Sequence, residues 1–164
     1  MLLRPGRNGA LPLPAADAVR ITQMATLSVH SFLKEEGITA RIKWPNDIWV
    51  ADRKICGMLI ENILEGPDVA ASIIGIGLNL NQQYFDPRLP NPVSLKQLTG
   101  RSYGLESTLE RIYVQLCRHA ALLDSDDGRA ELERMFNKYL FHLGKRNQED
   151  LTAAIEGFEA QKQP

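Results

Sequence analysis

The chain has 164 residues, 44% hydrophobic and 24% charged, with a formal net charge of -1. That length supports one domain with a real core, and the balanced charge argues against a nucleic-acid partner, which would select a basic excess. No apolar run approaches the ~20 residues needed to cross a bilayer, so no membrane partner is expected.

Leu2 and Leu3 read as the end of a strand, before a loop rich in glycine and proline from Pro5 to Pro14. A domain rarely opens on a clipped strand, so further residues are expected upstream. Met-Leu-Leu-Arg-Pro leaves no room for a secretory apolar region. From Ala15 to Glu36 the pattern is helical, with Val19, Ile21, Leu27, Phe32 and Leu33 on one broad face, Asp17 in the first turn and Gly37 as C-terminal cap.

The period then changes to two. Ile38, Ala40, Ile42 and Trp44 alternate with Thr39, Arg41 and Lys43, which predicts a strand with an apolar and a cationic face. Pro45-Asn46-Asp47 stops it, Ile48 to Ala51 resumes as a short strand, and Asp52-Arg53-Lys54 turns. A longer strand is predicted from Ile55 to Leu64, a turn at Gly66-Pro67-Asp68, and another strand from Val69 to Asn81, apolar enough to suit a central position. Beyond a loop holding Pro87, Pro90 and Pro92, Val93 to Leu98 reads as a turn or two of helix. Ser107-Thr108-Leu109-Glu110 has the capping-box pattern, followed at helical spacing by Leu109, Ile112, Tyr113, Leu116, Ala120 and Leu123. A last helix spans Arg129 to Phe141, with Leu132, Met135, Phe136 and Tyr139 inward, before a polar tail from Gly144 to Pro164. The layout is α+β: an antiparallel or mixed sheet backed by helices.

Chemistry concentrates between Arg41 and Asn81. Four cations (Arg41, Lys43, Arg53, Lys54) face two aspartates (Asp47, Asp52) between positions 41 and 54. Such a cluster is either a solvated strand edge or a place to neutralise phosphate oxygens. On the strand from Val69 to Asn81, the period of two puts Gly75, Gly77 and Asn79 on one face and Ile74, Ile76, Leu78 and Leu80 on the other. Two glycines on one face weaken a strand unless space is needed there. A flat ligand on the sheet would use it, with Asn79 offering a donor and an acceptor to a base and Gly57 widening the gap; close packing of a helix is the other explanation. Gly75-Ile-Gly77 is not a dinucleotide fingerprint, because Leu80 stands where the third glycine belongs and no helix opens there. His30, His119 and His142 have no metal-site spacing, so no protein-bound metal site is expected. Cys56 and Cys117 are too few for a disulfide framework, and Cys56 reads as a small buried residue. These features point to a reduced, cytoplasmic protein.

Lys43-Trp44-Pro45-Asn46-Asp47, then Lys54-x-x-Gly57-x-Leu59-x-Glu61, then Gly75-x-Gly77-x-Asn79 resemble, in order and spacing, the motifs of the biotin protein ligase family, the biotin–[acetyl-CoA-carboxylase] ligases. The resemblance runs from Leu2 to about Gly144. It implies a mixed sheet backed by helices, related in fold to lipoate ligases and class II aminoacyl-tRNA synthetases. It implies joining of biotin to a lysine of a biotin carboxyl carrier protein through biotinyl-AMP, with ATP and Mg²⁺. Lys54 then matches the essential lysine that contacts the biotin carboxyl and the adenylate phosphate, and Asn79 the residue that binds adenine. Asn46 and Asp47 match the pair at the nucleotide and acceptor-lysine end, Gly57 lies under the intermediate, and Lys43 supports phosphate binding.

The family also has an arginine-rich glycine loop upstream of the strand at Leu2, and a small SH3-like domain after the catalytic one. The expectation is therefore a central catalytic part, residues 1–143, with 144–164 a stub where the next domain would begin. Arg4 and Arg7 follow the matching strand and do not replace the loop. An adenylate-binding module without ligase activity and a lipoate-type acyl ligase are the competing expectations. The tryptophan and the Pro-Asn-Asp turn favour biotin over lipoate. An uncovered sheet surface invites a homo-oligomer.

Overall fold

The computed structural model describes residues 1–6 and 11–141. Helix α1 (Val19–Glu35) follows a single 3₁₀ turn at Ala15–Asp17. Its C-terminus is closed by Gly37, at φ +79, with Gly37 N–H donating to the Lys34 carbonyl and Ile38 N–H to that of Leu33. This αL closure consumes the Ile38 amide, so strand β2 is only Arg41–Lys43 and not the longer run the alternation predicted. The alternation itself holds: Ile42 is buried between exposed Arg41 and half-buried Lys43.

Strand β3 (Asp47–Val50) pairs back on β2, β4 (Arg53–Glu65) on β3, and β5 (Asp68–Leu78) on β4, while β1 (Leu2–Leu3) lies on the far side of β5. Every pairing is antiparallel, in the order β1-β5-β4-β3-β2. The turn before β4 is Ala51-Asp52, with Ala51 at φ +53, so Arg53 and Lys54 belong to the strand and not to the turn. The sheet centre is β4. Strand β5 stops at Leu78, short of Asn81: the Asn79 amide still reaches β4 at the Ile55 carbonyl, but the carbonyls of Asn79 and Leu80 accept from the amides of Leu95 and Lys96. Its apolar middle reflects one face in the core, not a central place.

The core lies on one side of the sheet. Ile42, Ile48, Ile55, Met58 and Ile74 face α1, which supplies Ile21, Met24, Leu27 and Phe32. Each such side chain contributes on the order of 1.5–3 kcal/mol when buried. Helices α3 (Leu105–Ala120) and α4 (Asp126–Tyr139) pack on α1, so α1 is buried nearly all round. Arg129, only 7% exposed, ties α4 to the N-terminal loop through the Pro12 carbonyl and to the turn before the helix through that of Leu123.

Two helix expectations need correction. The capping box is at Ser94, whose hydroxyl and Gln97 close the N-terminus of α2 (Leu95–Thr99) reciprocally. At α3 the cap is Gly104, and Ser107 lies inside the helix, donating back to the Gly104 carbonyl. Within α3, Ile112, Leu116 and, beyond its end, Leu123 are buried, but Leu109 and Tyr113 are 63% and 55% exposed. Only one stripe of α3 reaches α1. The stub expected over 144–164 lies outside the described residues.

Candidate functional site on the open sheet face

The other side of the sheet is built from glycines. Gly57 of β4 and Gly77 of β5 stand directly opposite each other, and Gly75 stands opposite Leu59. A Cβ at Gly75 would meet only Leu59, no nearer than 3.6 Å, and one at Gly77 only the Gly57 carbonyl at 3.3 Å. Among the described residues no helix packs on these glycines, so close packing within that part does not explain them. They form the floor of an open depression of about 710 Å³, lined also by Asn46, Asp47, Lys54 and Leu59.

Register carries the row onward. Lys43 pairs with Asp47, Asp47 with Gly57, and Gly57 with Gly77. Directly opposed residues share a face, so all four belong to the open side. Lys54 would fall on the core side in a regular strand, being three residues from Gly57. A bulge reverses this: Ile48 pairs with Cys56 but Trp49 with Lys54, leaving Ile55 as an extra residue. Ile55 and Cys56 are consequently both buried, although adjacent, and Lys54 turns to the open face. Its ammonium lies 2.7 Å from the Asp47 carboxylate, and a Cβ on Gly57 would come within 3.0 Å of Lys54 Nζ and Cε. Gly57 thus makes room for the lysine.

The remaining residues divide. The Asn46 side-chain amide donates to the Met58 carbonyl while the Met58 N–H donates to the Asn46 carbonyl, so Asn46 straps the cis Trp44-Pro45 turn to β4. Asn79 sits just past β5 and donates at 3.4 Å to the Lys54 carbonyl, linking the base-reading candidate to the lysine's backbone. Lys43 lies with Nζ 4.3 Å from the centre of the Trp49 ring. Neither Lys43 nor Asn79 lines the depression itself. Trp49 has no place in the motif reading; in the sequence it is only an aromatic in the short strand predicted from Ile48 to Ala51. Leu59, 65% exposed, entered only as a motif position, yet it walls the floor beside Gly75.

Cys56 is no nucleophile here. Burial and the nearby Asp47 charge push its thiol up to about 12. No disulfide joins it to exposed Cys117. His30 and His119 are 5% and 3% exposed and hydrogen-bonded within the helical layer, His30 to the Ala40 carbonyl and His119 to that of Gln115. A second depression of about 540 Å³, containing Arg4, Glu65 and Asp68, lies at the opposite end of β5 and holds none of the motif residues. Among the described residues, no helix is long and apolar enough to cross a membrane.

Known proteins share the stretch of chain that holds this face. The model of the biotin/lipoate A/B protein ligase family matches residues 7–79, from the N-terminal loop to Asn79. Residues 7–79 therefore carry the domain of the biotin/lipoate A/B protein ligase family. The chain is 33% identical over 132 residues to a biotin–[acetyl-CoA-carboxylase] ligase of Paracoccus denitrificans, covering 76% of this chain and 52% of that protein. It is also 33% identical over 116 residues to the bifunctional ligase/repressor BirA of Bacillus subtilis, covering 68% of this chain and 34% of that one. The chain thus spans about half the length of the first relative and a third of the second. In fold it is similar to the crystal structure of the Aquifex aeolicus biotin protein ligase, with a TM-score of 0.70 at 22% identity over 88% of this chain and 61% of that one. The form of that ligase in complex with biotin and ATP superposes with a TM-score of 0.67 at 22% identity, over 82% of this chain and 58% of that one. This family's α+β architecture is therefore the one expected from the motifs.

Proposed function

We propose that this chain carries the adenylate-forming face of a biotin–[acetyl-CoA-carboxylase] ligase, which activates biotin with ATP and passes it to a lysine of a biotin carboxyl carrier protein. The observation that carries this reading is the Lys54–Asp47 pair suspended over Gly57, at one end of a glycine floor open to a flat ligand. The relatives' names point to the same chemistry.

In the first step a biotin carboxylate meets the α-phosphate of ATP, and two anions must approach. Lys54 is placed to hold both, supplying fixed positive charge where negative charge gathers. Gly57, Gly75 and Gly77 let the intermediate lie against the strands, and Asn79 reads adenine at the end of β5. Asn46, committed to Met58 through its amide, keeps the turn that presents Asp47. In the second step the acceptor amine must be neutral to attack. Asp47 orients it and takes its proton once Lys54 has turned to the phosphate. Among the described residues no three of His, Cys, Asp and Glu gather into a metal cage. A lone carboxylate on the depression suits Mg²⁺, which is held through one or two carboxylates and the phosphates of its nucleotide. Asp47 is the carboxylate on the depression that would meet it, and the ion would offset phosphate charge. The reading places the protein in the cytoplasm, where ATP and carrier are found.

A second reading is a module that binds the adenylate without completing transfer. It is favoured by the exposure of Leu2, Leu59 and Ile73 (47–65%) on the open face, where nothing among the described residues covers them. A reactive acyl-adenylate needs shielding from water. One experiment separates the two: the chain is incubated with ATP, labelled biotin and a carrier domain. Labelled carrier supports the ligase, biotinyl-AMP without labelled carrier supports the module, and neither product rejects both.

A further inference from the structure

We infer that Trp49 is a positioning residue: its indole face holds the Lys43 ammonium on the open side of the sheet as a second cation for the phosphate chain of a nucleoside triphosphate. The inference rests on the nucleotide reading above and adds a residue to it.

Lys43 stands directly opposite Asp47 in the β2–β3 ladder. Opposed cation and carboxylate ordinarily pair. Here Asp47 pairs with Lys54 instead, at 2.7 Å, and Lys43 makes no ion pair among the described residues. Its Nζ rests 4.3 Å from the Trp49 ring centre, well inside the ~6 Å reach of a cation over an indole. Trp49 in turn is register partner to Arg41 on one side and Lys54 on the other, so the ring sits within a lattice of three cations. The indole N–H is buried and has no hydrogen-bond partner. A buried donor left unpaired is unfavourable, so what the site retains in this ring is its face.

The two lysines are held in opposite ways. A carboxylate fixes Lys54 and cancels its charge, so an incoming anion must displace Asp47. An aromatic face fixes Lys43 and leaves its charge uncancelled, so a phosphate meets an oriented ammonium and displaces nothing. Trp49 is therefore required for where Lys43 points, not for whether the strand forms.

The test is a double-mutant cycle on ATP affinity, measured by calorimetry on the full chain together with melting temperature. Lys43→Met is expected to weaken ATP about tenfold, the scale of one charge-assisted contact. Trp49→Leu is expected to weaken it about fivefold and Trp49→Phe, which keeps a π face, less than about twofold. In the Lys43→Met background, Trp49→Leu should add nothing, because there is no ammonium left to place. A Trp49→Leu loss that persists undiminished in that background means a structural role and overturns the inference, as does wild-type affinity in Trp49→Leu when Lys43→Met binds weakly. If the wild-type chain binds no ATP, or Lys43→Met and Lys54→Ala both bind as the wild type does, the nucleotide reading itself falls.

Discussion

The two faces of one sheet have opposite chemistry. Toward α1 the strands present Ile42, Ile48, Cys56, Met58 and Ile74, all at most 5% exposed. Away from it the same strands present Lys43, Asp47, Lys54, Gly57, Gly75 and Gly77. A period of two lets adjacent residues serve different ends: one carries packing and the next carries a charge or leaves a space. The strands are therefore stable and chemically equipped at once, and substitutions should separate cleanly by face.

The sharpest separation is expected at Lys54. Lys54→Ala should lower biotinyl-adenylate formation at least ~100-fold, the scale of losing one electrostatic stabiliser, while the melting temperature stays close to wild type. Near-normal adenylate formation would remove Lys54 from the first step. The mirror case is Gly128 in the helical layer, where a Cβ would come 2.2 Å from the Leu122 carbonyl. Gly128→Ala should destabilise by about 2 kcal/mol through forced backbone movement, against little change for Gly75→Ala on the open face. Urea titrations of the two variants decide this, and equal destabilisation would break the contrast.

On the open face, Gly77→Val should leave a folded strand, since β-branched residues suit it, and weaken nucleotide binding about tenfold, as for a lost contact of ~1.4 kcal/mol. Unchanged affinity in a folded variant would remove the ligand from the sheet. On the covered side, burial holds the imidazoles of His30 and His119 below their ordinary 6.5. The unfolded chain therefore takes up protons first as pH falls. Stability is full above pH 6.5 and declines below it until the folded groups titrate, by at most ~1.4 kcal/mol per pH unit for each histidine. Unfolding midpoints measured from pH 7.5 to 5.5 should fall accordingly, and a flat profile would show that neither imidazole is held neutral. Glu36 behaves differently at lower pH. Burial would raise its carboxyl, but hydrogen bonds from Arg111 and Tyr103 and the charges of Arg111 and Arg101 bring it below the ordinary 4.5. Its contribution is present above 4.5 and is lost as pH falls through the lower folded value. The smallest effect concerns the cysteines: an alkylating reagent at neutral pH should modify exposed Cys117 and spare buried Cys56.

Much of this was legible in the chain. The switch from helical to alternating period located α1 and the strands, the Gly-Pro-Asp turn located the β4–β5 hairpin, and the glycines with Lys54 marked the face that carries the depression. These are local signals, carried by neighbours within one or two turns of backbone. What the sequence could not settle was non-local. Whether Lys54 faces the core or the open side depends on a one-residue bulge between β3 and β4, and a slip of one residue reverses every side chain's direction. That Asp47 pairs with Lys54 and leaves Lys43 to Trp49 follows from cross-strand distances. The outward turn of Leu109 and Tyr113 depends on how narrow a stripe of α3 meets α1. Periodicity fixes which residues share a face; only the packing of one element against another decides what that face meets.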